Sequence, residues 1–266
     1  MDSGSGSLDA RLERAVAGNR AALGIFRKIS QNDAFNMGCD MANTVAVSRL
    51  GYNDHGRVHV RIAASNALSL LSLLEMGGIQ PNFVKERHGT AEDAQVVVLL
   101  GALLHDIGNA VHRKNHEKTG IYLAGGVLDQ VLPDFYRGAK FQKIKLFVLG
   151  CVYESGDGTD ATSVESGIVK IADGADCEKG RARIPYRLFG KPDIHSVSAL
   201  AIKRVEIGPG RAAPARITVD MTNPAGLFQV NEVLGKKVAG SGLKQYVEIE
   251  TLINGKKLKE TDVSRL

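Results

Sequence analysis

Apolar positions recur at helical spacing along most of the chain. From Ser7 to about Ile29 the residues Leu8, Leu12, Ala15, Val16, Leu23 and Phe26 return on one face, and with Ser7 as N-cap they predict a first helix. A second runs from Val58 to Met76 and stops at Gly77-Gly78, a pair suited to a left-handed C-cap. Thr90-x-x-Asp93 opens a third, in which Val96 to Leu104 is apolar on nearly every side, the signature of a core helix. Further helices are expected from about Asn115 to Gln130, ended by Pro133, from Ala139 to Glu154, and from a capping box at Thr162-x-x-Glu165 through Ile168, Val169, Ile171 and Ala172.

The pattern changes near residue 200. Val205-Glu206-Ile207, residues 215–221 and Tyr246 to Glu250 alternate as strands do, with an amphipathic helix between Leu227 and Val238. The expectation is a mainly α fold, with residues 1–199 as a helical domain and 200–266 as a small α+β appendage. Exposed strand edges there invite pairing between chains, so a homodimer is expected as well.

Composition narrows the class. The 266 residues are 44% apolar and 24% charged, which is globular, and 34 Lys+Arg against 29 Asp+Glu give a net charge of +5 without a long basic run. That excess suits a phosphate-bearing substrate and does not demand nucleic acid. No stretch approaches the ~20 apolar residues of a membrane span. The opening Met1 to Ser7 has neither a basic nor an apolar signal region and reads as a flexible lead-in, so a cytoplasmic protein without membrane contact is expected. Cys39, Cys151 and Cys177 are three, with no C-x-x-C spacing, and are read as buried thiols. No phosphate-binding glycine loop and no G-x-S-x-G elbow occurs.

Chemistry gathers where histidines do. His55, His59, His105, His112 and His116 lie beside or between helices whose apolar faces pack together. His105-Asp106 ends the most buried helix, where an unpaired carboxylate is costly. Alone, such a pair reads as a satisfied core histidine and a capping acid. The neighbours change that reading: His112 and His116 are four apart and would share a helix face, His59 starts an earlier helix and Asp173 stands on a later one.

His59, His105-Asp106 and Asp173 together resemble the H…HD…D signature of the HD-domain metal-dependent phosphohydrolases, over roughly residues 50–190. Leu103-Leu104-His105-Asp106-Ile107-Gly108 carries the likeness best, and Tyr52-Asn53-Asp54-His55-Gly56-x-x-His59 is similar to archaeal-type members. The HD part of ribonuclease Y is also similar, although this chain has none of that enzyme's membrane anchor, coiled coil or KH domain. The resemblance implies an HD-type helical bundle in which His59, His105, Asp106 and Asp173 ligate one divalent metal, with Asp106 able to bridge to a second. Mixed imidazole and carboxylate ligands suit Mn, Fe, Co, Ni or Zn, with Mg also admissible.

For the second ion the resemblance points to His116, in Asn115-His116-Glu117-x-x-Gly120, with His112 next. The later double histidine of binuclear members is missing; either Glu154 substitutes there as an oxygen donor or the second site is weak or absent, so one or two ions are expected. The implied reaction is attack on phosphorus by a metal-bound water. Arg113 and Lys114, and Lys179, Arg181 and Arg183, are the cations placed to offset phosphoryl charge, Arg113 and Arg183 first among them. The catalytic expectation is thus Asp106, His112, Arg113 and Arg183. Asp176 is expected to orient a ligand or cap a helix end, and Gly156 to Asp160 to form a flexible rim. His88 and His195 read as loop residues on the surface. A nucleotide-like phosphodiester, including the 2′,3′-cyclic kind, ranks ahead of a phosphomonoester as substrate. The competing reading is a non-catalytic module, in which a metal-stabilised cluster supports ligand sensing or partner binding.

Overall fold

The computed structural model describes residues 3–178 and 194–258. Two helices begin the chain where the pattern predicts one: α1 (Ser3–Ala15) and α2 (Arg20–Ser30). The break falls at Gly18-Asn19, because the Asn19 side chain accepts from the Ala22 amide and so starts a new helix. Its amide group then donates to the Glu92 carbonyl, tying α2 to the core helix. The helix from Ser3 also replaces the expected flexible lead-in. α3 (Asp33–Asn43), capped by Asn32, continues into a π-helical stretch, Thr44–Arg49, and was not foreseen.

α4 (Arg57–Met76) and α6 (Ala91–Leu104) form the centre of the bundle, with the short α5 (Asn82–Lys85) between them. Thr90 and Asp93 make the predicted capping box, and every side chain from Val96 to Leu104 is buried. Around this pair lie α7 (His116–Val131), α8 (Gly138–Glu154) and α9 (Val164–Gly174). α9 is capped by Ser163 rather than Thr162. Glu165 is therefore not part of a capping box. Its buried carboxylate accepts from the Asn82 and Phe83 amides and closes the start of α5.

α10 (Ile194–Ala201) contains His195, which the sequence reading left in a loop. It leads into a four-stranded sheet of β1 (Ile202–Pro209), β2 (Ala215–Met221), β3 (Val247–Ile253) and β4 (Lys256–Lys257), in that spatial order. The β1–β2 and β3–β4 pairs are antiparallel and β2–β3 is parallel. The crossover between β2 and β3 carries the predicted amphipathic helix as three pieces, Leu227–Gln229, a π-helical Val230–Gly235, and Lys236–Ala239. The fold is mainly α with a small C-terminal α+β element, as the hydrophobic pattern predicts.

One apolar core runs through both parts. Leu99, Leu100 and Leu103 of α6 belong to the same buried cluster as Ile217 and Val219 of β2 and Leu234 of the crossover. No described helix is long and apolar enough to cross a membrane. All three cysteines are buried thiols outside any disulfide.

Candidate metal centre

Four side chains from three helices converge at the C-terminal end of α6. His59 comes from the first turn of α4, His105 and Asp106 from the end of α6, and Asp173 from the last turn of α9. These three helices pack on one another, so residues far apart in sequence share one point in space. His59 and His105 are fully buried, Asp106 nearly so.

Each imidazole is held by its Nδ1. His59 Nδ1 lies 2.7 Å from Asp176 Oδ2, and His105 Nδ1 lies 2.8 Å from the Ala102 carbonyl. Both partners are acceptors, so both Nδ1 atoms carry the proton and both Nε2 atoms point lone pairs inward. The two Nε2 atoms are 3.2 Å apart. Two facing lone pairs in a dry site are unfavourable unless a cation lies between them.

The carboxylates complete the group. His59 Nε2 is 3.3 Å from Asp106 Oδ2 and 3.3 Å from Asp173 Oδ1, and His105 Nε2 is 3.6 Å from each of the same oxygens. Donors at zinc-like bond lengths in a tetrahedral shell are about 3.3–3.6 Å apart. Two overlapping triads meet the distance requirement for a divalent metal, His59 with His105 and Asp173, and His59 with His55 and Asp106, so His59 belongs to both. Such carboxylates ionise early. Although burial opposes it, the neighbouring His55 and His105 rings and hydrogen bonds from His116 and His55 hold the Asp106 carboxyl well below its ordinary value. Asp173 is likewise depressed against its own desolvation, first by Lys237.

Around this quartet the structure sorts the expected residues. His55 is buried and its Nδ1 lies 2.6 Å from Asp106 Oδ2, while Asn109 donates to Asp106 Oδ1 at 2.9 Å, so the two fix that carboxylate. Asp176 orients His59 instead of capping α9. His116 Nε2 stands 3.3 Å from Asp106 Oδ1, on the side away from the quartet. Arg113 lies against His116 and Asn109 and over the Tyr52 ring.

Two expected residues do not arrive. Asn115 adopts a left-handed conformation with φ 58°, so α7 begins only at His116. His112 thus shares no helix face with His116; it is exposed and its Nδ1 accepts from the Lys114 amide. Glu154 turns to the α9 side, where its oxygens accept from the amide and hydroxyl of Thr162. Arg183, with Lys179 and Arg181, lies outside the described residues. His88 is half-buried and meets the Phe83 and Phe147 rings edge-on rather than standing free on the surface.

Lys237, from the crossover of the C-terminal element, was missed. Its ammonium donates to the Ser155 carbonyl at 2.7 Å and pairs with Asp157 Oδ1 at 2.8 Å and Asp173 Oδ2 at 2.9 Å. The signal was present: Val230, Leu234 and Lys237 stand at i, i+4 and i+7, which puts a lysine on the apolar stripe. Lys170 was missed too. It is buried on α9 and donates to the carbonyls of Glu154, Gly156 and Thr159, so the rim read as flexible is fastened from below.

The chain is similar to "Uncharacterized protein MJ1020" of Methanocaldococcus jannaschii, 43% identical over 235 residues that cover 88% of this chain and 90% of that protein. No protein-family model matches the chain. No solved structure matches it either.

Proposed function

The chain belongs to the family that includes MJ1020 of Methanocaldococcus jannaschii, and for it we propose a metal-dependent phosphohydrolase activity on an HD-type helical domain. The observation that carries this reading is the convergence of His59 Nε2, His105 Nε2, Asp106 Oδ2 and Asp173 Oδ1 within 3.2–3.6 Å of one another for the five separations given above. Those four residues would hold the ion, with Mn, Fe, Co, Ni or Zn compatible with the ligand types.

A divalent ion held there supplies Lewis acidity and a water acidic enough to react near neutral pH. The chain's own residues do the rest. Asp176 and the Ala102 carbonyl keep the imidazoles turned inward, and His55 and Asn109 keep Asp106 in place. Arg113 lies against His116, whose Nε2 reaches the second oxygen of Asp106, and offers positive charge beside the site. A nucleotide-like phosphodiester, 2′,3′-cyclic esters included, is the substrate this reading favours, because cations on two sides of Asp106 and Asp173 can hold two phosphoryl oxygens.

The test is elemental analysis of the purified protein together with hydrolysis of bis-p-nitrophenyl phosphate and p-nitrophenyl phosphate under added Mn, Fe, Co, Ni, Zn or Mg. Bound metal with diester turnover that vanishes in a folded Asp106→Ala variant supports the reading. Turnover of the monoester alone moves it to a nucleotidase. Bound metal without turnover favours the sensing or interaction module, and a protein that takes up no ion under any of these conditions overturns the metal centre.

A further inference from the structure

We propose that Lys237 is an anion-binding residue of this site, and that the Asp157 carboxylate occupies its place there until a phosphoryl group takes it. The inference rests on the phosphohydrolase reading and names the residue that would receive the substrate's charge.

An ammonium has three N–H donors, and Lys237 commits all of them: to the Ser155 carbonyl, Asp173 and Asp157. The first two partners are fixed. Ser155 is buried at the end of α8, and Asp173 Oδ1 faces the two imidazoles while its Oδ2 faces Lys237. The third is not fixed. The Asp157 side chain is 80% exposed, whereas that of Lys237 is only 11% exposed. A nearly buried cation beside the metal ligands therefore has one exchangeable partner, and that partner opens onto solvent.

The exchange needs no movement of the backbone. Lys170 holds the carbonyls of Gly156 and Thr159 on either side of Asp157, and the Ala161 amide donates to the Gly240 carbonyl. The rim stays in place when the Asp157 side chain rotates away. Its exposed carboxylate returns to water, and the incoming phosphoryl oxygen takes over the pairing of the buried ammonium. A phosphate monoanion or dianion competes well for the vacated donor, since lysine is a compact point charge well suited to phosphate oxygens. Neutral ligands gain nothing from the displacement, so the arrangement selects for negatively charged substrates.

The probe is inorganic phosphate, titrated calorimetrically into the full-length, Mn-loaded protein and two variants. Lys237→Met should weaken phosphate binding by about 10–100-fold, the value of a charge-assisted hydrogen bond. Asp157→Asn should tighten it by about 2–5-fold, because a neutral amide competes less for the ammonium. Metal content, measured on the same samples, should match the wild type in Asp157→Asn. If Lys237→Met fails to fold, Asp157→Asn, altered at an exposed position, decides alone. Equal phosphate affinity in the two variants and the wild type, weaker binding in Asp157→Asn, or no phosphate binding by the loaded wild type overturns this inference and leaves the metal centre standing. A wild type that loads no metal overturns the phosphohydrolase reading instead.

Discussion

Asp176 Oδ2 lies 2.7 Å from His59 Nδ1, and that contact decides which nitrogen of His59 faces Asp106 and Asp173. Asp176 acts on the outer nitrogen of that ring. Asp176→Ala should nevertheless lower metal affinity by about 10–100-fold, the usual cost of losing such a support, while Asp176→Asn, whose amide oxygen still accepts, should fall between. Competition titration with a chromophoric chelator measures both. Wild-type affinity in Asp176→Ala would show that the ring holds its orientation without help.

Metal should stabilise the folded chain as well as activate it. An ion held by the buried imidazoles and depressed carboxylates would bind the folded state alone, because the unfolded chain does not hold these donors together. At a free concentration of one hundred times Kd the gain is about 2.7 kcal/mol. Thermal unfolding should shift upward with Mn or Co and return on chelation. An unchanged Tm across that titration would deny the site any part in folding.

Gly108 is the point at which the turn after Asp106 touches α7. A side chain there would overlap the His116 carbonyl and the Gly120 amide, both backbone groups that cannot swing aside. Gly108→Ala should cost about 1–3 kcal/mol or more. On α8, Gly150 has open space where its side chain would go, so Gly150→Ala should stabilise by about 0.4–1 kcal/mol. Urea midpoints of the two variants, measured side by side, check the contrast.

Asp93 sets a pH dependence far from the metal centre. Burial works against its charge, but the Lys140 ammonium at 2.8 Å and the amide and hydroxyl of Thr90 hold the carboxyl below its ordinary value. A carboxylate depressed on folding adds stability that is complete above the unfolded value, about 3.9, and fades as pH falls through the lower folded value. Asp93→Asn should destabilise the protein at neutral pH by about 0.5–2 kcal/mol, the range for a lost cap. The gap to the wild type should narrow as pH falls below about 4, and close as pH passes the lower folded value, where both side chains are neutral. Denaturation curves from pH 2 to 7 read this directly, and a gap constant across that range would rule out the charge as its source.

The residues that sequence placed well are those whose signal is local. Thr90 and Asp93 are a short-range box, Val96 to Leu104 is a continuous apolar run, and the alternation in residues 215–221 needs only its own strand. His59, His105, Asp106 and Asp173 were legible because their types and order resemble a known signature, and the structure brings them within a few ångströms. His112 and Glu154 failed for reasons that spacing cannot express. A left-handed Asn115 separates His112 from α7, and Thr162 offers Glu154 two nearer donors. Lys237 carries no local mark of its destination beyond its place on an apolar stripe, since its partners come from α9 and the loop after α8.

The position of Lys237 also sets a schedule. Ribosomes deliver the chain from its N-terminus, and helical segments begin to fold as they emerge. His59, His105, Asp106 and Asp173 are all synthesised well before residue 237, yet Asp173 receives its lysine only after β1, β2 and the crossover have formed. A chain cut short before residue 237 would hold the four ligands without the cation that faces Asp173 Oδ2, so the finished site reports that synthesis has passed the crossover.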